Sequence, residues 1–379
     1  MWLWKSANSW LNDKEKRCMP QKTLVVITGP TGVGKTAVAI RLARDLGTEI
    51  VSADSRQIFR DIPIGTAAPT ADELATVRHH FVGILGLDEY YSAAQFEEDA
   101  LAVIGRLFLT HDYVVMCGGS MMYVDAVCKG IDQLPTISDD VRRDVARRLA
   151  EDGADAMREE LRRLDPVYYE QVDLNNVKRV AHAVEICLQS GKPYSSLRTG
   201  TVKQRPFRIV KIGLNLPRQE LFDRINCRVE KMVEEGLVEE ARRVYSLRHL
   251  NSLNTVGYKE MFAYFDGAID LHEAVRQIQS HSREYMRKQL TWFKRDVVCQ
   301  GRWHALVCPD RLRRCPPSCF QSGALNFRAS PGKKLQKCGA NAGKKLQIRI
   351  SNSGKKLQGM LKIGCWEGVS SQFLMTDFG

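Results

Sequence analysis

Several things are missing from this sequence, and each absence removes a class of protein. No apolar run approaches the roughly 20 residues needed to cross a bilayer, so nothing marks a membrane-spanning helix. The 11 cysteines form no C-x₂-C pair and face no matching histidine pair. That removes zinc modules and disulfide scaffolds, and it points to a reducing, cytoplasmic setting. Residues Met1 to Pro20 lack the charged, apolar and small-residue order of a signal peptide, and their acidic residues argue against a transit peptide. They read as an extension without regular structure, with Met19 a natural start. A basic body is missing too. The net charge is +12, but residues 1–300 carry 42 basic and 41 acidic side chains, whereas residues 301–379 carry 14 and 3. A nucleic-acid role for the body must rest on local motifs, not on overall charge.

What is present begins with GPTGVGKT at Gly29 to Thr36. An apolar run, Leu24 to Ile27, precedes it as a buried strand, and apolar residues at helical spacing follow from Ala37 to Leu46. Strand, glycine-rich loop and helix form the setting of a phosphate-binding loop. The backbone amides of Gly29, Pro30, Thr31, Gly32, Val33 and Gly34 span the stretch that curls around phosphate oxygens, proline adding shape but no donor. Lys35 is placed to neutralise the terminal phosphate, and the Thr36 hydroxyl to hold Mg²⁺.

The body then alternates strand and helix. Strands are expected at Glu49–Ala53, His80–Leu85, Asp112–Met116 and Phe207–Leu216, with helices over Ala93–Leu109, Arg218–Ser246 and Leu271–Asp296. The fold class is α/β: a P-loop NTPase-like parallel sheet flanked by helices, with an all-helical insertion and a disordered carboxyl-terminal tail. Residues 21–137 and 205–300 form the P-loop core, and 138–204, rich in charged helical segments, the insertion. Residues 311–379 form a low-complexity basic tail in which GKKLQ recurs at Gly332, Gly343 and Gly354.

A nucleotide hydrolase usually carries a second strand that ends in a metal-holding aspartate. Here the corresponding strand ends in Cys117-Gly118-Gly119-Ser120, and the acid is instead Asp54, opening DSRQ. Ligands of open parallel sheets sit at the carboxyl ends of the strands, where Asp54, Ser120 and Lys35 converge. A carboxylate beside a diphosphate suits a reaction in which an amine attacks carbon and loses a proton, with Asp54 as general base. Lys35, Mg²⁺ and an arginine then stabilise charge on the departing diphosphate.

Six ordered motifs resemble the tRNA dimethylallyltransferase family over residues 22–296. They are the phosphate loop, SADSRQIFRDIPIGTAAP at Ser52–Pro69, CGGSMMYVDAV at Cys117–Val127, LNNVKRVAHAVEI at Leu174–Ile186, LNTVGYKEMFAYFDG at Leu253–Gly267 and SREYMRKQLTWFKRD at Ser282–Asp296. The resemblance implies transfer of the C5 prenyl group of dimethylallyl diphosphate to the exocyclic N6 amine of the adenosine 3′ of the anticodon. It implies Asp54 as base, and Ser55, Arg56 and Gln57 against the flipped adenine or its neighbours. It also implies Arg283 near the diphosphate, and Asn175, Asn176, Lys178 and Arg179 against the anticodon stem-loop. The family normally has threonine where this chain has Ser120; serine keeps the hydroxyl and loses a methyl that restricts its rotamer. Gln289, Trp292 and Phe293 are expected to lock the last helix onto the sheet, and Tyr123 and Tyr258 to be packing residues first. The chain is expected to act as a monomer. A prenyltransferase of free adenine nucleotides shares the loop and DSRQ but has little use for the helical insertion. A P-loop kinase or ATPase lacks a use for DSRQ and the Gly-Gly-Ser turn. A binding module that has lost catalysis is the remaining reading.

Overall fold

The structure, a computed structural model, describes residues 21–300 and 303–307, with side chains through residue 293. The amino-terminal extension and the GKKLQ tail lie outside the described residues. The first strand, β1 (Thr23–Thr28), is buried along its length. It leads through the glycine loop into α1 (Lys35–Leu46), whose amino end is Gly34 in the left-handed region at φ 92°. Next come β2 (Ile50–Ser52), α2 (Ala71–Thr76) and β3 (His79–His80). They are followed by α3 (Ala93–Thr110), β4 (Tyr113–Gly118) and α4 (Met121–Lys129).

The strand expected at His80–Leu85 stops at His80, because Phe81 takes a positive φ of 64° that ends an extended run. Its far end survives as a single bridge between Phe59 and Leu85.

Five helices follow. They are α5 (Asp139–Glu151), α6 (Gly153–Leu164), α7 (Pro166–Tyr169), α8 (Val177–Ser190) and α9 (Tyr194–Leu197). They bury a core of their own around Val145, Met157, Leu161, Tyr168, Val180 and Val184. Asp165 is fully buried among them. It caps α7 through the Tyr168 amide at 2.9 Å and accepts from the Ser195 amide and hydroxyl at 2.6 and 2.8 Å. Both chain crossings into this helical segment are held by one carboxylate on α3. Glu97 accepts from the Ile131 amide at 2.9 Å, from Lys203 Nζ at 3.0 Å and from Arg205 Nη2 at 2.8 Å.

The chain returns as β5 (Arg208–Leu214), then α10 (Arg218–Glu234) and α11 (Leu237–Arg243). The helical stretch expected over Arg218–Ser246 consists of these two helices, parted at Gly236, whose φ of 102° no helical residue adopts. The described chain ends with α12 (Tyr258–Phe265), α13 (Leu271–Gln300) and β6 (Trp303–Val307).

The six strands form one parallel sheet in the order β3-β2-β4-β1-β5-β6. Leu24, Val26, Val51, Val114 and Met116 pack one face against α3 and α4, where Phe96 stacks on Tyr123 at 4.1 Å. Each such buried apolar side chain contributes roughly 1.5–3 kcal/mol, enough to fix the positions of the loops at the strand ends.

Candidate active site

The carboxyl ends of β1, β2 and β4 carry the three segments on which the chemistry depends. Gly118 packs so tightly against the end of β2 that a Cβ there would lie 2.1 Å from the Ala53 carbonyl oxygen. This contact brings Ser120 beside DSRQ. The Ser120 amide donates to Ala53 O at 3.2 Å, its hydroxyl accepts from the Ser55 amide at 2.8 Å, and the two serine hydroxyls lie 3.1 Å apart. Asp54 Oδ1 accepts from the amides of Arg56 at 3.0 Å and Gln57 at 3.4 Å, which sets the carboxylate in a turn.

Lys35 sits where its loop folds back, donating to the carbonyls of Gly29 at 3.1 Å and Pro30 at 3.0 Å. Burial pulls its ammonium down to about 8; Cys117 and Asp54 push it back, and Arg228 lowers it further. Burial likewise pushes the Cys117 thiol up to about 12. That cysteine is a packed residue rather than a nucleophile.

A cavity of about 670 Å³ opens at this end of the sheet. Thr31, Asp54, Ser55, Arg56, Ser120 and Arg228 share its wall. Arg228, on α10, donates to the Thr31 hydroxyl, while its buried Nε has no partner among the described residues. Burial depresses its guanidinium, against the pull of Asp54. Sequence reading missed this arginine. It lies on a helix rich in charge, and only the fold brings it back against the loop.

Several expected residues stand elsewhere. Arg283 donates to Asn226 Oδ1 at 2.5 Å and lies over the Phe222 ring, and it is not part of the cavity wall. Gln57 turns away to donate to the carbonyls of Thr66 at 3.2 Å and Ala67 at 2.8 Å. Arg56 reaches the carbonyls of Asn251 and Ser252, each at 3.1 Å, while keeping a place in the wall. Val33 is fully buried, so only its backbone serves the loop. Asn175, Asn176, Lys178 and Arg179 open α8 in the helical insertion, away from the cavity wall; Asn176 caps that helix through the Arg179 amide at 3.3 Å. Lys178 and Arg179 are exposed.

Gln289 does more than lock a helix. It accepts from the Thr31 amide at 2.8 Å and donates to Gly119 O at 2.9 Å, joining α13 to both loops. Phe293, Tyr123 and Tyr258 are buried as expected, whereas Trp292 is 37% exposed and not a core residue.

Among the described residues no three His, Cys, Asp or Glu side chains gather into a metal cage. The Thr36 hydroxyl, at the start of α1, is a hard oxygen donor of the kind that would hold a Mg²⁺ ion whose remaining ligands are phosphate oxygens and water.

The sheet, the glycine loop and the cavity at the strand ends define the class: a P-loop-like fold with a carboxylate in the cavity wall beside the loop. Comparison with known proteins narrows it. A family model described as IPP transferase matches residues 57–296. The tRNA dimethylallyltransferase 1 of Phocaeicola vulgatus is 58% identical over 274 residues, covering 72% of this chain and 91% of that protein. The protein of the same name from Bacteroides thetaiotaomicron is 57% identical over 274 residues, covering 72% and 89%. Among solved structures, the tRNA isopentenylpyrophosphate transferase of Bacillus halodurans matches with a TM-score of 0.52 and 37% identity, covering 72% of this chain and 87% of that one. The enzyme of that type from Staphylococcus epidermidis matches with a TM-score of 0.54 and 28% identity, covering 80% and 97%. The chain belongs to the IPP transferase family.

Proposed function

We infer that the chain transfers a dimethylallyl group from dimethylallyl diphosphate to the exocyclic N6 amine of an adenosine in tRNA, and that the acceptor is the adenosine 3′ of the anticodon. One observation supports the site assignment: Thr31 of the phosphate loop, Asp54, Ser55 and Ser120 line a single cavity, with the two serine hydroxyls 3.1 Å apart.

In this reading the diphosphate lies on the loop amides, with Lys35, Thr31 and Arg228 around it. The unpartnered Arg228 Nε–H points to a ligand oxygen as its natural acceptor, because a buried guanidinium donor left unpaired is costly. The N6 lone pair attacks C1 of the prenyl group, the C1–O bond breaks, and its electrons leave with the diphosphate. The proton released from N6 passes to Asp54, whose other oxygen is held in the turn by two backbone amides. Ser120 is placed to hydrogen-bond near the bridging oxygen. The Thr36 hydroxyl would help to hold a Mg²⁺ ion, which would supply charge neutralisation for the leaving group. The exposed Lys178 and Arg179 at the start of α8 provide phosphate contacts that position the RNA, while unstacked loop bases supply sequence readout.

The test is an assay with labelled dimethylallyl diphosphate and tRNA, AMP or ATP in separate reactions. Label on tRNA alone supports the reading. Label on AMP, or phosphate release from ATP without prenyl transfer, overturns it.

A further inference from the structure

The cavity that Asp54 enters also carries an aromatic ring that the fold does not bury. Tyr285 of α13 lies in the wall and is 40% exposed, whereas Tyr123 and Tyr258 nearby are packed away. Among the described residues the other exposed aromatics, Tyr90 and Trp292, are not part of this wall. Helical spacing places Ile278, His281, Tyr285 and Lys288 on one face of α13, and all four line the cavity. One turn further along α13, Gln289 accepts from the Thr31 amide and donates to Gly119 O. The helix that carries the ring is therefore tied to the phosphate loop.

A partly exposed aromatic ring in the cavity wall, with the Arg56 guanidinium and the Asp54 carboxylate in the same wall, matches what an unstacked base needs. Bases drawn out of a loop are held by stacking on aromatic side chains. We propose that Tyr285 is the stacking face for the adenine ring, holding its exocyclic amine towards Asp54. The assignment rests on the prenyl-transfer reading. The ring shares the cavity wall with Asp54 and Arg56, and a planar aromatic surface beside a proton-accepting carboxylate suits the base as its ligand.

The test uses the full chain with three substitutions: Tyr285→Ala, Tyr285→Leu and Tyr285→Phe. Transfer is measured with labelled dimethylallyl diphosphate and an anticodon stem-loop RNA. Binding is followed separately with 2-aminopurine in place of the target adenine. Alanine and leucine are expected to raise KM for the RNA about ten- to a hundredfold, to leave KM for the donor within about twofold, and to abolish the stacking quench of 2-aminopurine. Phenylalanine is expected to keep the quench and to hold the RNA KM within about threefold. An unchanged quench in the leucine variant overturns the proposal. So does a rise in donor KM alone, or a phenylalanine variant as impaired as alanine. Failure of the wild-type chain to label any RNA counts instead against the functional reading, which this arm isolates.

Discussion

Asp54 and Arg228 face the same cavity, and their variants should fail in different ways. Asp54→Ala is expected to abolish transfer while leaving RNA affinity, measured by filter binding, within a few-fold of wild type. Equal loss of both would remove its role as base. Arg228→Ala is expected to raise KM for dimethylallyl diphosphate at least tenfold, because it deletes a buried donor aimed at the phosphate end. Arg283→Ala should change that KM by less than about threefold, since its guanidinium is spent on Asn226 and Phe222. The reverse ranking would restore Arg283 to the diphosphate. Lys35 sets a pH limit. Its pKa is depressed from 10.5 to about 8, so the free enzyme holds the ammonium below that pH and loses it above. Donor KM is therefore expected to rise as pH climbs through about 8, and to lose that dependence in Lys35→Met. The same shift works oppositely on stability. The unfolded chain binds the extra proton between about pH 8 and 10.5, so the penalty that burying this lysine places on the unliganded fold is relieved as pH rises through that window.

Segments held by single buried carboxylates dominate at the scale of elements. Glu240 of α11 is fully buried and accepts from the amides of Ile64 at 2.9 Å and Gly65 at 2.8 Å, and from the Tyr258 hydroxyl at 2.5 Å. Glu240→Ala leaves the Ile64 and Gly65 amides unpaired and the Tyr258 hydroxyl with only Ile62 O at 3.3 Å, and is expected to cost about 3 kcal/mol or more in urea unfolding, where Tyr258→Phe costs about 1. Near-equal losses would show that the carboxylate is not the common acceptor. These ties explain what was and was not legible in the sequence. The glycine loop, the apolar runs of β1 and β4 and the charged helices of the insertion announce themselves by local pattern. α2 was readable too, through its Thr70–Glu73 capping box, but passed unnoticed. Phe81 and Gly236 end their elements through a single backbone angle, and only the glycine leaves a trace in composition. Arg228 owes its place to contacts between distant elements, and nothing local marks it. Gln289 and Tyr285 lie in a legible motif, but their partners across the fold are not written there. Arg283 belongs to the same motif, and in the structure its guanidinium lies on Asn226.

For the molecule as a whole, charge is divided unevenly along the chain. The near-neutral first 300 residues hold the sheet and the cavity, and the basic excess falls after residue 300. Removing residues 311–379 is expected to leave the turnover number near normal while flattening the salt dependence of RNA binding, read as the slope of log Kd against log salt. A large fall in turnover would give the tail a part in the reaction. No described helix is long and apolar enough to cross a membrane. The amide of Gln289 has a further consequence, because it stands 258 residues from Thr31 and 170 from Gly119. During synthesis both loops leave the ribosome well before the group that joins them. A nascent chain can complete its first strands and still have no working reaction centre; turnover begins only when the last described helix docks.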